Sequence, residues 1–162
     1  KAVTLTQPWA TLVAVGAKRI ETRSWQTGYR GPLAIHAAAG LASVGGRRGL
    51  HAVCGERPFC DALLPAGYNA MRMPAWGLPL GAIVATCELI DCCEIAENQT
   101  QVDNYWNAFE GKRAILPPDE PERSFGDYTP GRYAWLLANI RALETPIPCK
   151  GALGLWNYEG TL

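Results

Sequence analysis

The densest chemistry in the chain lies between Lys18 and Arg30. Lys18, Arg19, Glu21, Arg23 and Arg30 are interleaved there with Trp25 and Tyr29. Cations mixed with aromatic rings suit single-stranded nucleic acid. The cations hold phosphates, and the rings take bases by stacking, at about 1–3 kcal/mol per base. The same mix suits a solvated charged hairpin, so composition leaves both readings open. In extended chain Arg19, Glu21, Arg23 and Trp25 share one face, and Lys18, Ile20 and Thr22 share the other. Lys18 meets Glu21 only if the chain bends, and Gly16 offers a place for the bend.

Two further segments carry informative charges. Glu88 is the only charge between Leu80 and Ile90. A carboxylate on a largely apolar strand face is costly unless paired or protonated, so Lys18, Arg23 or Arg132 is the expected partner. The alternative is a strand-end glutamate in solvent. Tyr133 and Trp135 alternate with Arg132 and Ala134. Arg132 then faces a cleft or seals a sheet edge, and the aromatic face is a stacking surface or simply core.

Other groups are weaker candidates. His51, Cys54 and Cys60 offer three zinc ligands without an evident fourth, so no metal is expected. His36 lies in a strand and is expected to be a hydrogen-bonded structural histidine. No P-loop, nucleophile elbow or dinucleotide fingerprint occurs, and no cofactor is expected.

These residues need elements to position them. Ala2–Leu5 reads as a short strand, followed by a helix capped by Thr6 with Pro8 in its first turn and Gly16 at its end. Gly31-Pro32 introduces a strand over 33–37. Residues 38–55 begin as helix but carry Gly45-Gly46 and Gly49, so they read as loop or mobile chain. Residues 56–79 are proline-rich, and 40–79 as a whole reads as an irregular insertion. Leu80–Ile90 is the strongest strand. Ala96–Gly111 reads as a helix or turns, Leu116–Tyr128 as a surface loop, Gly131–Ile140 as a second strong strand broken by Pro146 and Pro148, and Leu153–Trp156 as a final strand or turn.

The 162 residues fit one domain, 48% hydrophobic and 19% charged. Fifteen basic residues balance fifteen acidic ones. Nucleic-acid binding by bulk phosphate neutralisation normally comes with a strongly basic chain, so any such binding here needs a local patch, stacking or a shaped pocket. The six cysteines contain no CxxC pair. With no charged-then-apolar leader and no long apolar run, reduced thiols and a soluble cytoplasmic monomer away from membranes are expected.

Several segments together resemble the ASCH family. Thr4–Ala10 leads into Gly16-Ala17-Lys18-Arg19-Ile20-Glu21-Thr22-Arg23, similar to that family's helix followed by a G-x-K-x-x-E-x-R signature. Tyr29–Ala37, Gly81–Glu88, Phe125–Tyr128, Gly131–Trp135 and Lys150–Trp156 continue the likeness. The resemblance implies an α+β, mainly β fold: a PUA-like β-barrel with a few peripheral helices and a cleft beside the first helix. It implies RNA or other nucleic-acid binding, with Lys18, Arg23, Trp25, Tyr29, Arg30, Arg132 and Tyr133 as candidate contacts. Some small bacterial members of the family remove an acetyl group from modified cytidine with a lysine, a threonine three residues on and a central-strand glutamate. The matching positions here are Lys18, Glu21 and Glu88, with glutamate in place of the threonine.

Three functions follow as expectations. The first is a module binding RNA, single-stranded nucleic acid or a nucleoside-like molecule. The second is a hydrolase, either acetylated-cytidine amidohydrolase-like or a ribonuclease, with Lys18, Glu21 and Glu88 as its machinery. The third is a protein-interaction domain that uses the proline-rich segment from Glu56 to Pro79.

Overall fold

The structure, a computed structural model, describes residues 1–72, 75–107 and 113–161. They divide into two units. The first comprises Lys1–Lys18, Pro32–Cys87 and Asn139–Leu162, and the second Arg19–Gly31 and Glu88–Ala138. Among the described residues seven strands occur in chain order: β1 (Ala2–Leu5), β2 (Ile20–Arg23), β3 (Gly31–Ala37), β4 (Ala82–Ile95), β5 (Ala114–Ile115), β6 (Tyr133–Pro148) and β7 (Leu155–Trp156). Four helices accompany them: α1 (Trp9–Ala14), α2 (Gly46–Gly55), α3 (Phe59–Leu63) and α4 (Gln99–Asn107). Hydrogen-bonded neighbours run β2-β6-β4-β3-β1-β7, with β5 on β4. The fold is mainly β with a few helices, as expected. The order has two ends, however. Among the described residues no ladder joins β2 to β7, which closure into a barrel requires. No helix among those residues is long and apolar enough to cross a membrane.

In the first unit β1 pairs parallel to β3, Val3 opposite Ile35, and antiparallel to β7, Ala2 opposite Trp156. With a strand on each side, the β1 backbone is paired along both edges, and its largely apolar residues are mostly buried. Ala2, Ala34 and Ile83 form a core cluster, with Leu143, Ile147 and Trp156 packed against it. Helix α1 buries Ala10, Leu12 and Val13. Its cap differs from expectation. The Thr6 hydroxyl lies 3.1 Å from Ser43, and the helix start is served by Gln7 instead. The wholly buried Gln7 accepts the Thr11 N–H at 3.1 Å and donates to the Pro79 carbonyl at 2.7 Å. An amide satisfies two buried backbone groups at once, which a hydroxyl at Thr6 does not. Gly16, at φ +77°, ends the helix, and the Ala17 and Lys18 N–H groups both turn back to the Leu12 carbonyl at 3.0 Å. That is the bend the sequence required before Lys18.

The stretch read as irregular holds α2 and α3. Their buried residues explain them: Leu50 and Cys54 are one helical turn apart, and Phe59 meets Trp9 edge-on at 6.1 Å. The glycines support the helix. A Cβ at Gly49 would overlap the Val44 carbonyl oxygen. Strand β6 also runs on past its expected break, through Pro146 and Pro148. Beyond Asn139, itself at φ +51°, no residue of this strand is buried.

In the second unit β2 pairs antiparallel with β6, placing Glu21 opposite Trp135 and Arg23 opposite Tyr133. Ile95, Tyr128 and Ala134 form its core with Ile20, Ile115 and Leu136. The segment read as a surface loop is partly internal. Phe125 is buried, and Glu122 accepts the Arg19 N–H at 2.8 Å and the Ile20 N–H at 3.0 Å. Helix α4 covers most of the expected helix-or-turn stretch, whereas Phe109 and Gly111 lie outside the described residues.

Candidate nucleic-acid interface

The second unit contains a cleft of about 570 Å³. The loop after β2 supplies Gln26, Thr27, Gly28 and Arg30, and the far half of β4 supplies Asp91, Cys92 and Glu94. Tyr105 comes from α4, Arg113 from just before β5, and Tyr133 from the start of β6. Asp91 organises this wall. Its Oδ1 accepts from Arg30 Nη2 at 2.9 Å and from the Cys92 N–H at 2.9 Å. Its Oδ2 accepts from Arg113 Nη1 at 2.8 Å. Arg30 is fixed further by donating Nη1 to the carbonyls of Thr27 and Tyr29, each at 2.8 Å. The loop is itself pinned. The Tyr29 N–H donates to the Thr27 hydroxyl at 3.1 Å, and the Thr27 N–H to the Cys92 sulfur at 3.5 Å.

The electrostatics follow. Burial alone would raise the Asp91 carboxyl, but the Cys92 N–H, Arg113 and Arg30 outweigh it and hold the group below its ordinary value of 3.8. Asp91 is therefore an anion at neutral pH and keeps both guanidinium groups in place. Burial raises the Cys92 thiol, so at neutral pH it stays protonated.

The candidate residues are distributed unevenly. Arg30 and Tyr133 line the cleft. Glu21 and Arg23 share a face, with Arg23 Nε 3.0 Å from Glu21 Oε1, an ion contact whose N–H is not aligned as a hydrogen bond. Trp25, half-buried, packs edge-on against the fully buried Trp135, ring centres 4.7 Å apart, and is not among the residues that line the cleft. Arg132 does not line the cleft. Its Nε contacts the Asp127 carbonyl at 3.1 Å and the Asp127 carboxylate at 3.2 Å, clasping a turn. Tyr29 is half-buried and lies outside the lining, its hydroxyl 3.5 Å from where a Cβ on Gly31 would sit. Glu88 is exposed, in solvent as the second of the two expectations had it but inside the strand and not at its end, because β4 is buried on both faces only in its first half. Lys18 belongs to the first unit and is wholly buried.

Among the cleft residues missed in the sequence are Asp91, Arg113 and Tyr105. Asp91 follows the point where the strand was expected to end, and nothing in spacing joins it to Arg30 or Arg113. The zinc candidates do not gather. His51 is perpendicular to Trp76 at 5.6 Å, burial pushes the Cys54 thiol up to about 12, and Cys60 donates weakly to Asp61 at 3.7 Å. Among the described residues no group of three or more His, Cys, Asp or Glu is placed to hold a metal. All six cysteines are free thiols. His36 lies 3.1 Å from the Cys149 carbonyl through Nε2 and meets Trp156 edge-on, a structural placement.

A family model described as the ASCH domain matches residues 3–147. The chain belongs to the ASCH family. Similar curated proteins include activating signal cointegrator 1 of Homo sapiens, 34% identical over 156 residues, and that of Mus musculus, 26% identical over 163. Each alignment takes in 96% of this ASCH chain but 22% of the relative, so the chain spans about a fifth of the length of these proteins. Among solved structures, the crystal structure of a mutant of ZmASCH from Zymomonas mobilis aligns with a TM-score of 0.41 at 15% identity. It covers 91% of this ASCH chain and 73% of that one.

Proposed function

We propose that this ASCH domain binds single-stranded nucleic acid, RNA in the first instance, as a cytoplasmic monomer. The observation that carries the reading is the pair of guanidinium groups set on one carboxylate in a cleft that also presents Tyr105 and Tyr133. Arginines already ordered by Asp91 meet a phosphate with little further loss of side-chain freedom. The tyrosines offer ring faces to a base. Arg30 and Arg113 are balanced by Asp91 and Glu94 within the cleft, which suits a few oriented contacts better than a long basic track. Fluorescence anisotropy with a labelled oligouridylate tests the reading. Affinity falls as salt rises, and Arg113→Ala weakens binding about tenfold and flattens the salt slope by about 0.7. Absence of binding at low salt, for RNA and DNA alike, overturns it.

A hydrolase acting on acetylated cytidine or RNA is the second reading. One observation favours it: Lys18 is wholly buried, a rare state for a lysine without a dedicated role. Lys18 would serve as base or nucleophile. The test is chromatographic. Product released by the wild type and lost in Lys18→Gln, with the circular dichroism spectrum unchanged, supports it. Absence of product from either substrate overturns it.

A further inference from the structure

The first unit has a second concavity, of about 470 Å³, between α2 and the segment around Trp76. Its floor is apolar: Leu50, Ala75 and Trp76 are all buried. Its rim is cationic. Arg47 and Arg48 stand exposed in the first turn of α2, with His51 one turn on. Among the described residues neither arginine has an ion-pair partner, and no acidic residue lines the hollow. The α2 dipole adds positive potential at this end of the helix. Trp76 is 5% exposed, and its indole N–H is buried with no hydrogen-bond partner among the described residues. Its backbone is held at φ +60°, a conformation a bulky side chain seldom adopts.

We infer that this hollow docks an acidic peptide segment through one apolar side chain of leucine or phenylalanine size. The apolar floor takes the side chain, and the arginines take flanking carboxylates. Nucleic acid suits the hollow less well. Base edges carry donors and acceptors that would go unpaired over such a floor. This docking surface shares no lining residue with the nucleic-acid cleft.

The experiment uses the whole chain and a fluorescein-labelled hexapeptide, Glu-Asp-Leu-Phe-Glu-Asp. The same peptide with lysines replacing its acids is the control, and a ten-residue oligouridylate is the competitor. Two variants probe the two halves of the site. Arg47→Glu with Arg48→Glu reverses the rim, and Ala52→Trp, on the exposed flank of α2, plugs the hollow. Circular dichroism checks the fold of both. The expected result is saturable binding of the acidic peptide at low salt, at least tenfold weaker in each variant and undiminished in Arg113→Ala. The inference is overturned if the acidic peptide does not bind, if the lysine peptide binds as well, if both variants bind like the wild type, or if the oligouridylate displaces the peptide.

Discussion

The cleft around Asp91 and the hollow beside α2 each carry two arginines and aromatic groups, yet they are built on opposite plans. In the cleft the arginines are spent on a carboxylate and on loop carbonyls, and the walls are polar. In the hollow Arg47 and Arg48 have no ion-pair partner among the described residues, and the floor is hydrocarbon. The first arrangement gives geometry at the expense of net charge. The second gives charge with little geometry. Oriented guanidinium pairs suit phosphate, whereas loose ones above an apolar floor suit a flexible acidic chain.

The largest effect expected is on stability. Gly49→Val drives a side chain into the Val44 carbonyl, a backbone atom that cannot swing aside. A loss of about 3 kcal/mol follows, read from urea denaturation. Peptide docking should fall with it, because α2 carries the hollow's rim. Next is Arg30→Ala, which removes an Asp91 partner and unpins the Thr27–Tyr29 carbonyls. Oligouridylate affinity drops about tenfold, roughly 1.4 kcal/mol. Arg47→Ala with Arg48→Ala leaves that affinity unchanged within error. An equal loss in both variants would erase the distinction between the two concavities. Tyr133→Leu keeps bulk but removes the ring, and weakens the oligonucleotide by about 1 kcal/mol, measured by anisotropy.

The smallest effect is on pH dependence. The Asp91 carboxyl is lowered in the fold, so its ion pairs stabilise above the ordinary carboxylate range and fade as pH falls through the lowered value. Asp91→Asn lacks this contribution. The gap between wild type and variant in denaturation midpoint is therefore full at about pH 6 and closes below about pH 4. A gap that stays constant to pH 2 would show that Asp91 is not the charged centre of the cleft.

How much of this was legible in the sequence depended on the reach of the interaction. The alternation of Glu21 and Arg23 is local and came through as an ion contact. So did the bend at Gly16, because positive φ is a one-residue property. The cleft was half legible. Arg30 and Tyr133 stood out by type, but Asp91 meets Arg30 across 61 residues and Arg113 across 22. Periodicity says nothing about such pairs. The sequence left Glu88 open between burial and solvent, because β4 changes from burial on both faces to burial on one face within a single strand. The glycines near Arg47 were read as breakers. At Gly49 the absent side chain is what lets the helix approach Val44.

One backbone bond has a consequence for how this chain can vary. The Gly81 N–H donates to the Ala37 carbonyl at 2.9 Å, so the excursion that carries α2, α3 and the hollow leaves and re-enters the sheet at one point. Its two ends are already together. Doubling the length of such a loop costs only about 0.6 kcal/mol in closure entropy. Added length at an exposed turn of the excursion is therefore nearly free for the strands on either side, and this is where the chain can reshape a docking surface while its sheet stays the same.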